Sequence, residues 1–157
     1  MSFQKNLDFL AHSDYTFKRF IDKGHKMTPE ELLENFSYLT DWEDKYRYLI
    51  ELGENMEELP PSERTPDTKV EGCQSQVWLK AEKKENKFYF KAASDAVIVK
   101  GLEAVLLILV NGKTAQEIQS TNLKGIFSQL GLEDNLSPTR RNGFLSMIKR
   151  IQLLSNL

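Results

Sequence analysis

The run Val97-Ile98-Val99-Lys100-Gly101-Leu102-Glu103-Ala104-Val105-Leu106-Leu107-Ile108-Leu109-Val110 decides the architecture. It is too long for an ordinary strand, and Asn111-Gly112 follows as a stop signal, so it reads as a buried helix at the centre of the core. It falls short of the roughly 20 apolar residues of a bilayer span and already carries Lys100 and Glu103, so it is not a membrane anchor. Asp95, just upstream, is placed to cap its first turn.

Upstream of this helix, Gln76 to Ala81 and Lys87 to Ala92 hold the β-rich residues Val77, Trp78, Phe88, Tyr89 and Phe90 around the polar turn Lys84-Glu85-Asn86. That pattern predicts an antiparallel hairpin. Residues 54–69 carry Pro60, Pro61 and Pro66 among acidic side chains, which predicts an irregular connector with room for one short helical turn. Before it, Thr28-Pro29-Glu30-Glu31 opens a helix, with Thr28 as cap and Glu31 completing a capping box. Asp41 caps a second helix, with Trp42, Tyr46, Leu49 and Ile50 on one face and Gly53 placed to end it.

Downstream of the central run, Thr114 with Glu117 forms another capping box, and residues 123–130 read as a short helix closed by Gly131. Ser137-Pro138 then opens a last helix carrying Phe144, Leu145, Ile148 and Ile151 at helical spacing. Helices, a small antiparallel sheet and helices again predict an α+β fold, with one domain over residues 27–157. Residues 1–26 stand apart as an N-terminal extension, helical or loose, in which Phe17, Phe20 and Ile21 favour some helix.

The chain has 157 residues and a formal net charge of −2, from 21 basic and 23 acidic side chains. No strong field exists to hold a polyanion, so nucleic acid is not expected as a partner. Charge is uneven: Glu51, Glu54, Glu57, Glu58, Glu63 and Asp67 meet only Arg64 in their stretch, while Arg140, Arg141, Lys149 and Arg150 gather near the C-terminus. Both groups read as solvated faces. The first residues lack the uninterrupted apolar segment of a signal peptide, and a single cysteine excludes an intramolecular disulfide, so the cytoplasm is the expected address.

That cysteine, Cys73, lies in Val70-Glu71-Gly72-Cys73-Gln74-Ser75-Gln76-Val77-Trp78, between the proline-rich connector and a strand. A glycine before it permits backbone conformations closed to other residues, so a side chain can be presented there. A lone cysteine is also a common core filler, and strand alternation could turn Cys73 and Val77 inward together. By residue chemistry alone both readings of Cys73 stand. No resident metal is expected, because Cys73 has no cysteine neighbour and His12 and His25 lie in the extension.

The string Gly72-Cys73-Gln74-Ser75-Gln76-Val77-Trp78 resembles the active-site segment of the SufE/CsdE family, sulfur acceptors for cysteine desulfurases. Asp41-Trp42-Glu43-Asp44-Lys45-Tyr46 with Ile50-Glu51-Leu52-Gly53 is similar to that family's early helix. Ser94-Asp95-Ala96 with Ile98-Val99-Lys100-Gly101-Leu102 is similar to its central one, and Leu136-Ser137-Pro138-Thr139-Arg140 to the approach to its last. Together these span residues 28–155 in unbroken order.

The resemblance implies an α+β fold shared with the iron-sulfur scaffold family, with the cysteine at the tip of a loop. It implies that Cys73 carries a persulfide received from a desulfurase of the SufS/CsdA type, which it stimulates, and passes sulfur on toward an iron-sulfur scaffold. Pyridoxal phosphate belongs to that desulfurase, so no cofactor is expected in this chain, which acts as a monomer or homodimer. Asp95 and Arg140 match positions associated with the cysteine loop, with Asp95 also expected to serve as a helix cap and Arg140 open to a plain surface role. Gly72, Gln74, Ser75 and Gln76 are expected to shape or hydrogen-bond the loop, and Trp78 to pack in the core. A binding module with an inert cysteine and a stand-alone thiol enzyme stay open as rivals.

Overall fold

A computed structural model describes residues 26–156. The expectations for Phe17, Phe20, Ile21 and the rest of the extension fall outside these residues. Helix α1 spans Pro29–Ser37 and α2 spans Trp42–Glu54. Both begin at the cap residues the sequence predicts, the Thr28 side chain accepting from the Glu31 amide and Asp41 from the Asp44 amide. Each cap satisfies one of the amides that a helix start leaves without an internal partner.

The hairpin consists of β1, Val77–Lys84, and β2, Lys87–Ser94, antiparallel with Val77 opposite Ser94 and Lys84 opposite Lys87. The strands run longer than expected, and the turn shrinks to Glu85-Asn86, both at positive φ (50° and 71°). Such two-residue turns match the right-handed strand twist.

Two strands alone are marginal in water and expose two edges. Here both edges are covered. Val70 donates its amide to the Val77 carbonyl at 2.8 Å and Leu79 donates to Thr68 at 2.8 Å, so the end of the connector pairs with β1. Leu59 donates to Ala92 at 2.9 Å, while Asn111 and Lys113 hydrogen-bond to Phe90 and Phe88 along β2.

Helix α3, Val97–Val110, is the central element that the sequence predicts, buried along nearly its whole length against α2 and β2. Two corrections concern its neighbours. Gly53 does not end α2; it sits inside the last turn, where an added Cβ would lie 2.7 Å from the Gly101 amide nitrogen. Gly101 meets the Leu49 carbonyl more closely still, so the pair lets two helix backbones touch. Asp95 does not cap α3: the cap residue is Ala96, which makes no side-chain cap bond, and the Asp95 carboxylate is engaged elsewhere.

The chain continues through α4, Ala115–Ser120, with the full Thr114/Glu117 capping box, and α5, Leu123–Gln129, followed by Gly131 at φ 72°. Helix α6, Pro138–Leu154, is capped by Ser137 and buries Phe144, Met147, Ile148 and Ile151, while Leu145 faces out. The architecture is α+β, as predicted. No helix among the described residues is long and apolar enough to cross a membrane.

The acidic connector is not simply a solvated face. Glu58 meets Arg64 at 3.2 Å and Lys100 at 2.5 Å, Glu63 meets Lys80 at 2.6 Å, and Glu57 meets Lys91 at 3.2 Å. Most of these cations come from the hairpin and α3, so the connector is stitched onto the elements that flank the cysteine loop. Individually such half-exposed pairs contribute roughly 0–1 kcal/mol.

Candidate functional site

The pairing of Val70 with Val77 closes a turn over residues 71–76, and Cys73 lies at its tip. Gly72 adopts φ 87°, a left-handed conformation that costs an L side chain energy, and its α-carbon sits so close to α6 that a Cβ would stand 2.6 Å from Ser146 Oγ. The loop base is locked on the other side. The Gln76 amide donates to Asp95 Oδ1 at 3.0 Å, and the Asp95 amide donates back to the Gln76 carbonyl at 3.3 Å. Asp95 thus serves the cysteine loop directly, because the end of β2 lies opposite the start of β1 and brings its carboxylate to an amide the ladder leaves unpaired.

Cys73 is half-buried, its thiol donating to the Gly143 carbonyl on α6 at 3.6 Å. Neither extreme reading from the sequence describes it: it is not core filler, and it is not held out in solvent. Burial pushes the Cys73 thiol above its ordinary pKa, and the Glu103 and Glu71 carboxyls push it the same way. At rest the sulfur is a protonated, sheltered thiol and a poor nucleophile.

A cavity of about 420 Å³ opens beside the sulfur, with Cys73, Gln74 and Ser75 on one wall and Arg140 with Ser137 on the other. Its apolar side is formed by Val77, Val99, Leu102 and Phe144. Arg140 stands in the first turn of α6 and is exposed, so the structure brings it into the same cavity as Cys73. Gln74, Ser75 and Gln76 make no side-chain hydrogen bonds among the described residues; the loop is held by backbone pairing and Asp95 instead. Trp78 is half-buried and not a core residue, with the Arg64 guanidinium 5.9 Å from its ring centre.

A larger groove of about 940 Å³ lies along α2, α3 and the hairpin. Its described lining residues include no cysteine or histidine, and its Lys80 and Lys91 are paired with Glu63 and Glu57. Covalent chemistry therefore points to the smaller cavity.

Sequence reasoning did not single out Gly143, whose carbonyl receives the thiol, or Ser146, which backs Gly72. No local pattern marks either residue; both matter only because α6 packs against the loop.

Comparison with known proteins places this site in context. The model of the family described as SufE, Fe-S metabolism associated domain, matches residues 30–155. An uncharacterized SufE-like protein of Rhizobium meliloti (strain 1021) is 43% identical over 127 residues, which cover 78% of this chain and 91% of that protein. Another from Rhizobium etli is 47% identical over 127 residues, covering 78% and 86% respectively. The solution structure of a hypothetical protein from Thermus thermophilus shares the fold, with a TM-score of 0.68 at 21% identity over 83% of this chain and 96% of that one. A family match across nearly all of the described residues, joined by relatives above 40% identity, means that the chain belongs to the SufE family and is thereby associated with iron-sulfur metabolism.

Proposed function

We propose that this protein is a sulfur carrier that accepts a sulfane sulfur on Cys73 from a partner cysteine desulfurase. The observation that carries the reading is the setting of the chain's single cysteine, at the tip of a loop clamped at its base and beside a cavity large enough for further sulfur. Membership of a family described by iron-sulfur metabolism supplies the sulfur chemistry.

The transfer is a thiol exchange. Cys73 attacks the outer sulfur of the desulfurase persulfide; the bond between that sulfur and the desulfurase cysteine breaks, and a new S–S bond forms at Cys73. The proton of Cys73 ends on the departing desulfurase thiolate, so no oxidant or reductant is consumed. Because burial holds the resting thiol protonated, the step requires docking to bring the two sulfurs together and to draw the proton away. Removal of sulfur frees the desulfurase for its next turnover, which is how the carrier stimulates it.

Once formed, the persulfide anion has a place to sit: the cavity excludes bulk water on its apolar side and offers the Arg140 guanidinium on the other. That shelter suits sulfur held for delivery to an iron-sulfur scaffold better than it suits free turnover of a small substrate.

The test is mass spectrometry after mixing the protein with a desulfurase of the SufS/CsdA type and cysteine. A gain of about 32 Da, one sulfur, mapped to Cys73 is the expected result. Cys73→Ser, close in size, should fold normally, gain no mass and fail to stimulate the desulfurase. Equal stimulation by both proteins would favour the inert-cysteine binding module instead.

A further inference from the structure

Arg150, which the sequence places on a solvated face, is half-buried on α6 and has no part in the proposed transfer. Its Nη2 donates to the Asp67 carbonyl of the connector at 2.8 Å, while its Nε is buried without a hydrogen-bond partner among the described residues. A buried donor left unpaired costs stability, and an apolar side chain would cover the same surface without that cost. The fold alone therefore does not call for an arginine there. Among the described residues no carboxylate pairs with it, so its polar engagement is with backbone that leads directly to Cys73.

Arg150 belongs to a stripe. Gly143, Ser146 and Arg150 lie three and four positions apart, so they share one face of α6, and the segment that leads to the thiol runs along it in the opposite direction. Arg150 holds Asp67, Ser146 backs Gly72, and the Gly143 carbonyl receives the Cys73 thiol at 3.6 Å. The pairing of Thr68 with Leu79 and of Val70 with Val77 ties this segment to β1, not to α6. Of the three stripe contacts, the thiol's is long and weak, and Ser146 gives its hydroxyl proton to the Asn142 carbonyl. The Arg150 bond is the short, charge-assisted one.

We propose that Arg150 is a positioning residue for Cys73: by holding the connector at Asp67 it keeps the cysteine loop seated on α6, with the sulfur at the Gly143 carbonyl. Without it the segment stays paired with β1 but lifts from α6, and Cys73 swings outward. This rests on Cys73 being the reactive centre. It adds that the shelter of the resting thiol is set from about 10 Å away along α6, by a residue that does not line the cavity at the sulfur.

The experiment follows the rate of Cys73 alkylation by iodoacetamide in the full chain without any desulfurase. Arg150→Met and Arg150→Leu, two apolar replacements that guard against one failing to fold, should both react faster than wild type by about two- to tenfold, the shift in an opening equilibrium that one typical hydrogen bond accounts for. Arg150→Lys should stay close to wild type, because the bond to Asp67 is a single one that an ammonium can also make. Lys149→Met removes an exposed cation beside the stripe and should change nothing. A purely electrostatic role has the opposite sign, since losing a cation disfavours the thiolate and slows alkylation. An unchanged or slower rate in Arg150→Met and Arg150→Leu, or a gain that Arg150→Lys or Lys149→Met shares in full, would overturn the assignment. So would acceleration that climbs with added urea in step with global unfolding, because local lifting of the loop is already present below the transition. Because the measurement needs no sulfur donor, its failure is separate from a failure of Cys73 to gain sulfur.

Discussion

At the cysteine loop, single residues define the geometry and their roles are separable. Gly72 carries two constraints, a φ of 87° and the closeness of Ser146 Oγ. Gly72→Ala should therefore destabilise the fold by about 1–2 kcal/mol from the left-handed backbone alone, with a further steric part. The Ser146 hydroxyl donates to the Asn142 carbonyl and has other rotamers available, so the steric part should shrink in Gly72→Ala/Ser146→Ala while the backbone part remains. Urea unfolding of the two variants checks this; full recovery in the double variant would show that the backbone conformation costs nothing. The sequence shows that Gly72 permits an unusual conformation, because glycine before a reactive side chain is a local signal. It does not show that Asp95 clamps Gln76, because an aspartate before an apolar run carries the same local signal as a helix cap. Which amide wins the carboxylate depends on strand register, and register is tertiary.

Among the elements, helix starts are the most legible feature. Thr28, Asp41, Thr114 and Ser137 all cap where the sequence places them, since a cap involves only residues three positions apart. The hairpin and central helix are legible for the same local reason, one from its two-residue period and turn, the other from its length. Helix crossings are not. Gly53 reads as a terminator and Gly101 as an isolated glycine, yet together they permit α2 and α3 to approach until their backbones touch. Gly101→Ala would push a methyl into the Leu49 carbonyl, a backbone atom that cannot rotate away, so the helices must separate. The expected cost is about 1–3 kcal/mol or more, typical of overpacking. Thermal unfolding followed by circular dichroism should show a lowered Tm with helix content retained at low temperature; an unchanged Tm would mean that the crossing has slack enough to absorb the methyl.

Over the whole molecule, pH links the buried core to the surface network. Glu58 and Glu117 are both held below their ordinary values, Glu58 first by its hydrogen bond from Lys100 and Glu117 first by the Thr114 amide. Their contributions are present above the unfolded carboxylate pKa and are lost as pH falls through the lowered folded values, so they weaken the fold in acid. Glu103 works in the opposite sense. Its folded value of about 8 lies above the ordinary 4.5, so the native state binds the proton more tightly than the unfolded chain does. The stability associated with that proton is fully present below about pH 4.5 and is lost progressively as pH rises to about 8, beyond which the loss is complete. For a carboxyl this deeply buried the swing amounts to a few kcal/mol. Urea unfolding at several pH values between these limits should show wild type losing stability as pH rises, superimposed on the opposite acid-side trend from Glu58 and Glu117. Glu103→Gln keeps the shape and removes the titration, so its curve should lack the alkaline decline and approach or overtake wild type near pH 8. Parallel curves for the two proteins would mean that Glu103 finds a partner in solution and is charged in the native state. In that case its deprotonation would no longer be the step that weakens the fold between acid and mild alkali, since the Cys73 thiol, raised above its ordinary value, acts in the same direction only at higher pH.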